Sequence, residues 1–178
     1  AWGFTDTSGV SQAFVVSKNA VIQDSIFAQS SAIGLHTGEA DNLVVKNTKF
    51  LDNGANGAGA NRTHRATYIG NTFSGSNAAG FKVNKCGAFC TISEIKVTHT
   101  KDFTFRNNII ERSESGVEES DPNNMIKASP IGFWCDEGCI DAKIVGNFFT
   151  NNGTAIFHEV SGPAIIASNI IEGSGTGI

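Results

Sequence analysis

The sequence lacks the residue runs that build amphipathic helices, since Ala, Leu, Glu and Lys do not recur at helical spacing. Proline is scarce as well, with 3 residues in 178. No segment reaches the roughly 18 consecutive apolar residues of a membrane-spanning helix. The net charge is −4 and no basic patch stands out. A helical fold, a membrane span and a nucleic-acid partner are therefore not expected.

Short apolar stretches between turns rich in Gly and Asn dominate the chain instead. Glycine is abundant, with 20 residues, and most of the aromatic content is 13 Phe. Strands that alternate with such turns indicate an all-β fold. The length suits a single domain over residues 1–178.

An eight-residue motif recurs along the chain without internal gaps. Its copies start 23, 23, 37, 39 and 22 residues apart. The two long offsets are one repeat plus about 15 residues each, so we expect two inserted loops, at about 85–94 and 117–130. The copies are residues 20–27, 43–50, 66–73, 103–110, 142–149 and 164–171.

The positions of the motif have distinct physical roles. The third and eighth residues are apolar in every copy, so both should face the interior. The sixth is Ser25, Thr48, Asn71, Asn108, Asn147 and Asn169. In stacked coils these residues lie about 4.8 Å apart, close enough for a ladder of side-chain amides. Asn at this position also tolerates the left-handed backbone that a sharp bend demands.

These features predict a right-handed parallel β-helix of about six to seven coils with two loop insertions. A second apolar strand should follow each motif, as in segments 33–35, 79–81, 131–134 and 155–157, whereas a third face is weaker. The calcium-binding nonapeptide and a hexapeptide period are both absent, and a β-sandwich would not repeat one octapeptide every 23 residues.

The two ends of the sequence show no obvious caps. Residues 1–17 are expected to form a preceding coil or a cap, and the chain is compatible with a fragment of a longer protein. No signal peptide is visible, and a start at Ala1 fits a processed or trimmed chain. Sequons at Asn61 and Asn152 are compatible with secretion from a eukaryote, and we predict a secreted protein.

Four cysteines form two close pairs, Cys86/Cys90 and Cys135/Cys139, both with C-x3-C spacing. Most zinc sites use C-x2-C, and no His lies at finger spacing. We expect two local disulfides or one set of cross-pairs. Free thiols and a metal site made of all four thiolates are the alternatives.

The repeat resembles that of the pectate-lyase-like superfamily, and three stretches resemble the closing coils of secreted bacterial β-helix proteins. They are residues 95–102 (IKVTHTKD), 132–136 (GFWCD) and 155–161 (AIFHEVS). The resemblance implies polysaccharide cleavage or glycan binding as a class and selects no reaction. The N-T-D, D-D, G-H-G and R-I-K motifs of polygalacturonases are absent, and the calcium cluster of pectate lyases has no match.

The second apolar strand is the expected place for chemistry. In its register, alternation turns one set of side chains inward and the next outward. The outward set holds His36, Lys96, Trp134 and Phe157, followed by Thr98, Asp136 and Glu159. His158 falls on the inward side unless a bulge rotates it outward.

Asp136 and Glu159 are the candidate catalytic pair. One strand spacing separates them, which matches the 5–5.5 Å of retaining glycosidases, and their mutual repulsion should raise one pKa. Lys96 can neutralise a uronate or act as a base, and His99 or His158 can shuttle protons.

The other candidates bind rather than react. Trp134 and Phe157 offer flat faces for sugar rings, with His99 beside them. Calcium is a further candidate ligand, held by the acidic residues of the second loop and the strand after it. Those residues are Glu118, Glu119, Asp121 and Glu137.

Each of these residues also has an ordinary structural interpretation. The carboxylates can be solvated or paired with Lys, Trp134 can cover a loop, His36 can be a surface residue and His158 a hydrogen-bonded core residue. Three functions follow. The first is a secreted polysaccharide lyase or glycoside hydrolase, the second a non-catalytic glycan-binding or adhesion module, and the third a structural spacer.

Overall fold

The computed structural model describes residues 12–15, 17–79, 92–111 and 131–178. Within these ranges the chain forms 18 strands and no helix. The described part therefore contains no helix long and apolar enough to cross a membrane.

Each copy of the eight-residue motif folds into two short strands joined by a sharp bend. The first strands stack into sheet B and the second into sheet C, and all pairings are parallel. Sheet B consists of β2 (Val21–Gln23), β5 (Val44–Lys46), β8 (Thr67–Ile69), β11 (Thr104–Arg106), β14 (Ala142–Val145) and β17 (Ala164–Ala167). Sheet C consists of β3 (Ile26–Ala28), β6 (Lys49–Leu51), β9 (Thr72–Ser74), β12 (Ile109–Glu111), β15 (Phe148–Thr150) and β18 (Ile170–Glu172).

The strand that follows each motif is the predicted second apolar strand, and it forms sheet A. The additional face arises because the motif itself bends into two strands. All three sheets contain six strands, so the expectation of a weaker third face was wrong. The strands of sheet A are β1 (Gln12–Val15), β4 (Ile33–Gly38), β7 (Asn56–Asn61), β10 (Ser93–Thr98), β13 (Ile131–Asp136) and β16 (Thr154–His158). β1 pairs in parallel with β4, as a strand of a preceding coil does.

Three all-parallel sheets to which successive coils add strands confirm the predicted parallel β-helix. The insertions fall between β9 and β10 and between β12 and β13, within segments 80–91 and 112–130, which lie outside the described residues. The first loop ends earlier than predicted, because Ser93 and Glu94 already belong to β10. The predicted strand at 79–81 also lies mostly outside the described residues.

The interior is built from columns of like side chains. At the eighth motif position, the rings of Phe27 and Phe50 stack with centroids 5.4 Å apart, and those of Phe50 and Phe73 with centroids 4.6 Å apart. Phe50 and Phe73 are fully buried. The predicted inward columns are therefore confirmed.

The sixth motif position forms the predicted asparagine ladder. Asn71 Nδ2 donates to Asn108 Oδ1 at 3.0 Å, Asn108 Nδ2 to Asn147 Oδ1 at 3.0 Å, and Asn147 Nδ2 to Asn169 Oδ1 at 2.9 Å. The left-handed backbone, however, falls one residue earlier than predicted, at the fifth position. There φ is positive in every copy, at Asp24, Asn47, Gly70, Asn107, Gly146 and Ser168.

A buried carboxylate at the start of β10 contacts the second bend, which lies between sheets C and A. Along this bend the backbone NH of one coil donates to the side chain of the next, as from Ser30 to Asn53 Oδ1. For Ser76 the acceptor is instead Glu94, which takes bonds from the Ser76 NH at 3.1 Å and the Ser76 hydroxyl at 2.7 Å. Glu94 is fully buried, and this burial raises the pKa of its carboxyl group to about 7.

Replacing Glu94 with Gln should remove a pH-dependent loss of stability. The raised pKa means that the folded chain holds a proton that the unfolded chain releases, so this contribution is lost as pH rises from about 4.5 to about 7. Relative to wild type, Glu94→Gln should gain unfolding free energy over this range, on the order of 3 kcal/mol by pH 8, at about 1.4 kcal/mol per pKa unit. Urea unfolding between pH 4.5 and 8 measures the difference.

Glu172→Gln, at an exposed position, controls for the change of charge. A constant difference between wild type and Glu94→Gln across this pH range would contradict the prediction.

Candidate functional site

One column of outward positions crosses five strands of sheet A. The strand registers align His36, Gly59, Lys96, Trp134 and Phe157. Neighbours in this column are one strand spacing apart, about 4.8 Å. The sequence predicted every member except Gly59.

Lys96 joins two of the predicted site residues. Its Nζ lies 2.8 Å from Asp136 Oδ2 and 3.8 Å from the centroid of the Trp134 ring. The Lys96 and Asp136 side chains are 18% and 11% exposed, so the pair is largely shielded from water. To act as a base or to bind a uronate, Lys96 would have to leave a carboxylate and an aromatic face.

Trp134 points outward but is covered by its neighbours. Only 7% of the residue is exposed, because Lys96 lies over the ring and Phe157 packs beside it at a centroid distance of 5.7 Å. Its Nε1 donates to Glu159 Oε1 at 3.0 Å. The prediction of Trp134 as an open sugar platform is therefore wrong. Phe157, 36% exposed, is the aromatic that faces solvent.

The two candidate catalytic carboxylates lie one position beyond the last residue pair of two adjacent strands. Asp136 ends β13 and Glu159 directly follows β16, next to the paired Cys135 and His158. Each carboxylate has its own partner: Asp136 binds Lys96, and Glu159 accepts a bond from Trp134. The four side chains form a connected polar group, which we call the charged cluster.

The two candidate histidines are not part of this cluster. His158 faces the interior, since the register from Trp134–Phe157 to Cys135–His158 contains no bulge. Its Nε2 lies 2.8 Å from the Gly162 carbonyl oxygen, and its Nδ1 is buried without a partner. A proton-shuttle role for His158 is thus not supported, because the strand separates its ring from the outer face.

His99 is exposed and lies on the turn after β10, where its φ is 51°. Its ring reaches back toward β7, with Nδ1 3.3 Å from Asn61 Oδ1, which also accepts a bond from the Thr98 hydroxyl at 3.2 Å. The part of the outer face that His99 contacts is therefore different from the part that holds the charged cluster.

A cavity of about 210 Å³ lies over β7, beside the charged cluster. We call it the glycine notch, because it opens where Gly59 has no side chain between His36 and Lys96. Asn61 and Thr98 line it as well. The sequence pattern did not predict β7, although Gly59 lies one 23-residue repeat after His36.

A family model described as a right-handed β-helix region matches residues 4–178. The chain belongs to the right-handed β-helix family. Neither the curated proteins nor the solved structures contain a match to it. Membership in the β-helix family accounts for the coil and its handedness, but it does not identify a reaction.

The cysteines of the β-helix correct a further prediction. Cys135 and Cys139 are buried free thiols, so the local disulfide expected between them is not present. Their mutual hydrogen bond and burial raise the pKa of the Cys135 thiol. Cys86 and Cys90 lie outside the described residues.

The sequon at Asn152 lies in the interior of the coil. Asn152 is 2% exposed, and its Nδ2 donates to the carbonyl oxygens of Ile110 and Thr150. A glycan cannot be attached to this nitrogen in the folded protein, so the sequon gives no support to secretion.

The calcium hypothesis rests mainly on three acidic residues of segment 112–130, outside the described residues. In the part of the chain that the structure describes, no three His, Cys, Asp or Glu side chains are grouped to hold a metal ion. Glu137, the fourth candidate, is exposed on a turn with φ of 51°.

The shielded Lys96–Asp136 pair should show a larger coupling energy than an exposed pair. In a double-mutant cycle with Lys96→Met and Asp136→Asn, we expect coupling above about 1 kcal/mol, because either single change leaves a poorly hydrated charge. Urea unfolding of the four proteins measures it.

The control cycle uses Lys18 and Asp41, whose charged atoms are 3.7 Å apart with side chains 64% and 15% exposed. We expect less than about 1 kcal/mol there. Equal coupling in the two cycles would contradict the shielding inferred for Lys96 and Asp136.

Proposed function

We propose that this β-helix protein binds a carbohydrate chain along the outer face of sheet A. The observation that carries the proposal is the alignment of the glycine notch and the exposed Phe157 in one column. They are three strand spacings apart, about 14 Å, a length suited to several sugar units. An aromatic face can pack against a sugar ring, and a mainly apolar cavity with a few polar groups, here Asn61 and Thr98, can hold a ring and bond its hydroxyls.

The charged cluster lies between these two ends and supports the proposal as a fixed polar wall. Lys96, Asp136, Trp134 and Glu159 hold one another through an ion pair, an aromatic contact and a hydrogen bond. Such mutual contacts limit rotation of the long side chains, so a ligand would lose less free energy in ordering them. The proposal includes secretion, because glycan chains of this length are encountered mainly outside the cell.

Replacing Phe157 with Ala should weaken glycan binding about 10-fold, equivalent to about 1.4 kcal/mol. The physical reason is the loss of the one aromatic ring of the column that faces solvent. Calorimetric titration with neutral and uronic oligosaccharides of equal length measures the affinity.

Ile165→Ala is the matched control, since Ile165 is 56% exposed on sheet B, away from the column. Binding that is equally weakened by both substitutions, or by neither, would place the ligand elsewhere.

A second candidate function is cleavage of the bound glycan by Asp136 and Glu159. The placement of Asp136 at the end of β13 and of Glu159 directly after the adjacent β16 favours it, because retaining hydrolysis needs two closely spaced carboxyl groups. In a lyase reaction, Lys96 would remove the proton instead. Before either reaction, a ligand would have to displace Lys96 from Asp136 or Trp134 from Glu159.

Cleavage predicts that Asp136→Asn and Glu159→Gln each reduce turnover by at least 100-fold while glycan binding persists. A polysaccharide panel read by reducing ends and by absorbance of unsaturated products separates hydrolase from lyase. Asp141→Asn, at an exposed turn, is the control. Binding without any product leaves the binding function alone, and neither binding nor product indicates a structural spacer.

A further inference from the structure

The size of the glycine notch is set by a missing side chain and not by the backbone. A Cβ added at Gly59 would lie 3.8 Å from His36 Nδ1 and 3.9 Å from the Lys96 carbonyl oxygen, which is ordinary contact distance. Gly57 differs, since a Cβ there would meet the Glu94 carbonyl oxygen at 2.8 Å. Glycine at 57 is therefore needed for coil packing, whereas glycine at 59 leaves open a space that a side chain could fill.

The described residues that line the notch form a mainly apolar wall with a few polar side chains and no available charge. Burial lowers the pKa of the His36 imidazole, which favours its neutral form near pH 7. Asn61 and Thr98 carry no charge and are bonded to each other at 3.2 Å. The notch thus has polar atoms suited to hydroxyl groups.

Among the described residues that line the notch, the charged one directs its charge elsewhere. Lys96 contributes to the wall beside Gly59, but its Nζ contacts Asp136 and Trp134 on β13, on the side away from β7. Its charge is matched by a carboxylate at 2.8 Å. A uronate in the notch would lose part of its hydration without gaining a free counter-charge from the described residues, so its binding there is disfavoured.

We propose that the glycine notch is a subsite for one uncharged sugar unit, and that this subsite selects neutral over uronic glycans. The proposal rests on the proposed glycan binding and gives it a substrate class. A cavity of about 210 Å³ can hold a single sugar ring, with Asn61 and Thr98 as hydrogen-bonding partners and His36 in its wall.

The test uses neutral gluco-, manno- and xylo-oligosaccharides and oligogalacturonates, all of equal length, titrated into the full chain by calorimetry. Wild type should bind at least one neutral series at least 10-fold more tightly than the oligogalacturonates. Gly59→Val, which fills the notch, should lose at least 10-fold of the neutral affinity, and Gly59→Ala should lose less. Ala167→Val, at an exposed position of sheet B, is the control for an added β-branched side chain and should bind like wild type.

A second measurement keeps the proposal testable if Gly59→Val does not fold. Proton NMR of wild type should show the His36 imidazole resonance shifting as the neutral oligosaccharide is added, with no such shift for His64. His64 lies at a turn, where its Nδ1 accepts a bond from the Lys101 NH.

The outcomes separate the two proposals. Preferred binding of oligogalacturonate, unchanged neutral binding in Gly59→Val or an unshifted His36 resonance overturns the neutral subsite and leaves glycan binding standing. The absence of binding to every oligosaccharide overturns both proposals.

Discussion

The stacking of each coil on the next at one strand spacing is the constraint on which the rest of the molecule depends. Parallel pairing brings equivalent residues of successive coils to about 4.8 Å from one another. A side chain inside the coil must therefore tolerate a close copy of itself. Phenylalanine does so by ring stacking, as in Phe50 on Phe73, and asparagine by amide bonds, as in Asn108 on Asn147.

The same constraint explains why the sequence predicted the interior well. Columns repeat at a fixed offset, so the inward positions and the asparagine ladder can be recognised without a structure. The left-handed backbone was predicted one position too late, at the sixth position of the motif. The Asn side chain at that position is bonded in the ladder. The tight bend falls on the preceding residue, where Asn107 and Gly146 take positive φ.

The outer face obeys no such rule, and the sequence predicted it less well. Strand β7 was missed because Asn56–Asn61 contains only Asn, Gly and Ala, which have low strand propensity, yet pairing on both sides holds it in the sheet. Alternation correctly turned Trp134 outward. It gave no sign that Lys96 would lie over the ring, since that contact depends on where a long side chain extends along the surface.

Outward columns can therefore change side-chain size abruptly while the coil beneath is unchanged. Between His36 and Lys96 the column falls to a glycine, and two strands further on it rises to Trp134 and Phe157. A change of this kind does not affect the packing of the interior, because Gly59 contributes no side chain to the core. The outer face is therefore concave at Gly59, where no free charge is available. At Trp134 and Phe157 the face is raised, and the charges there are paired with one another. A chain lying across the strands would meet both, so ligand selectivity can arise in this fold from one outward position without any change to the ladder that holds the coils together.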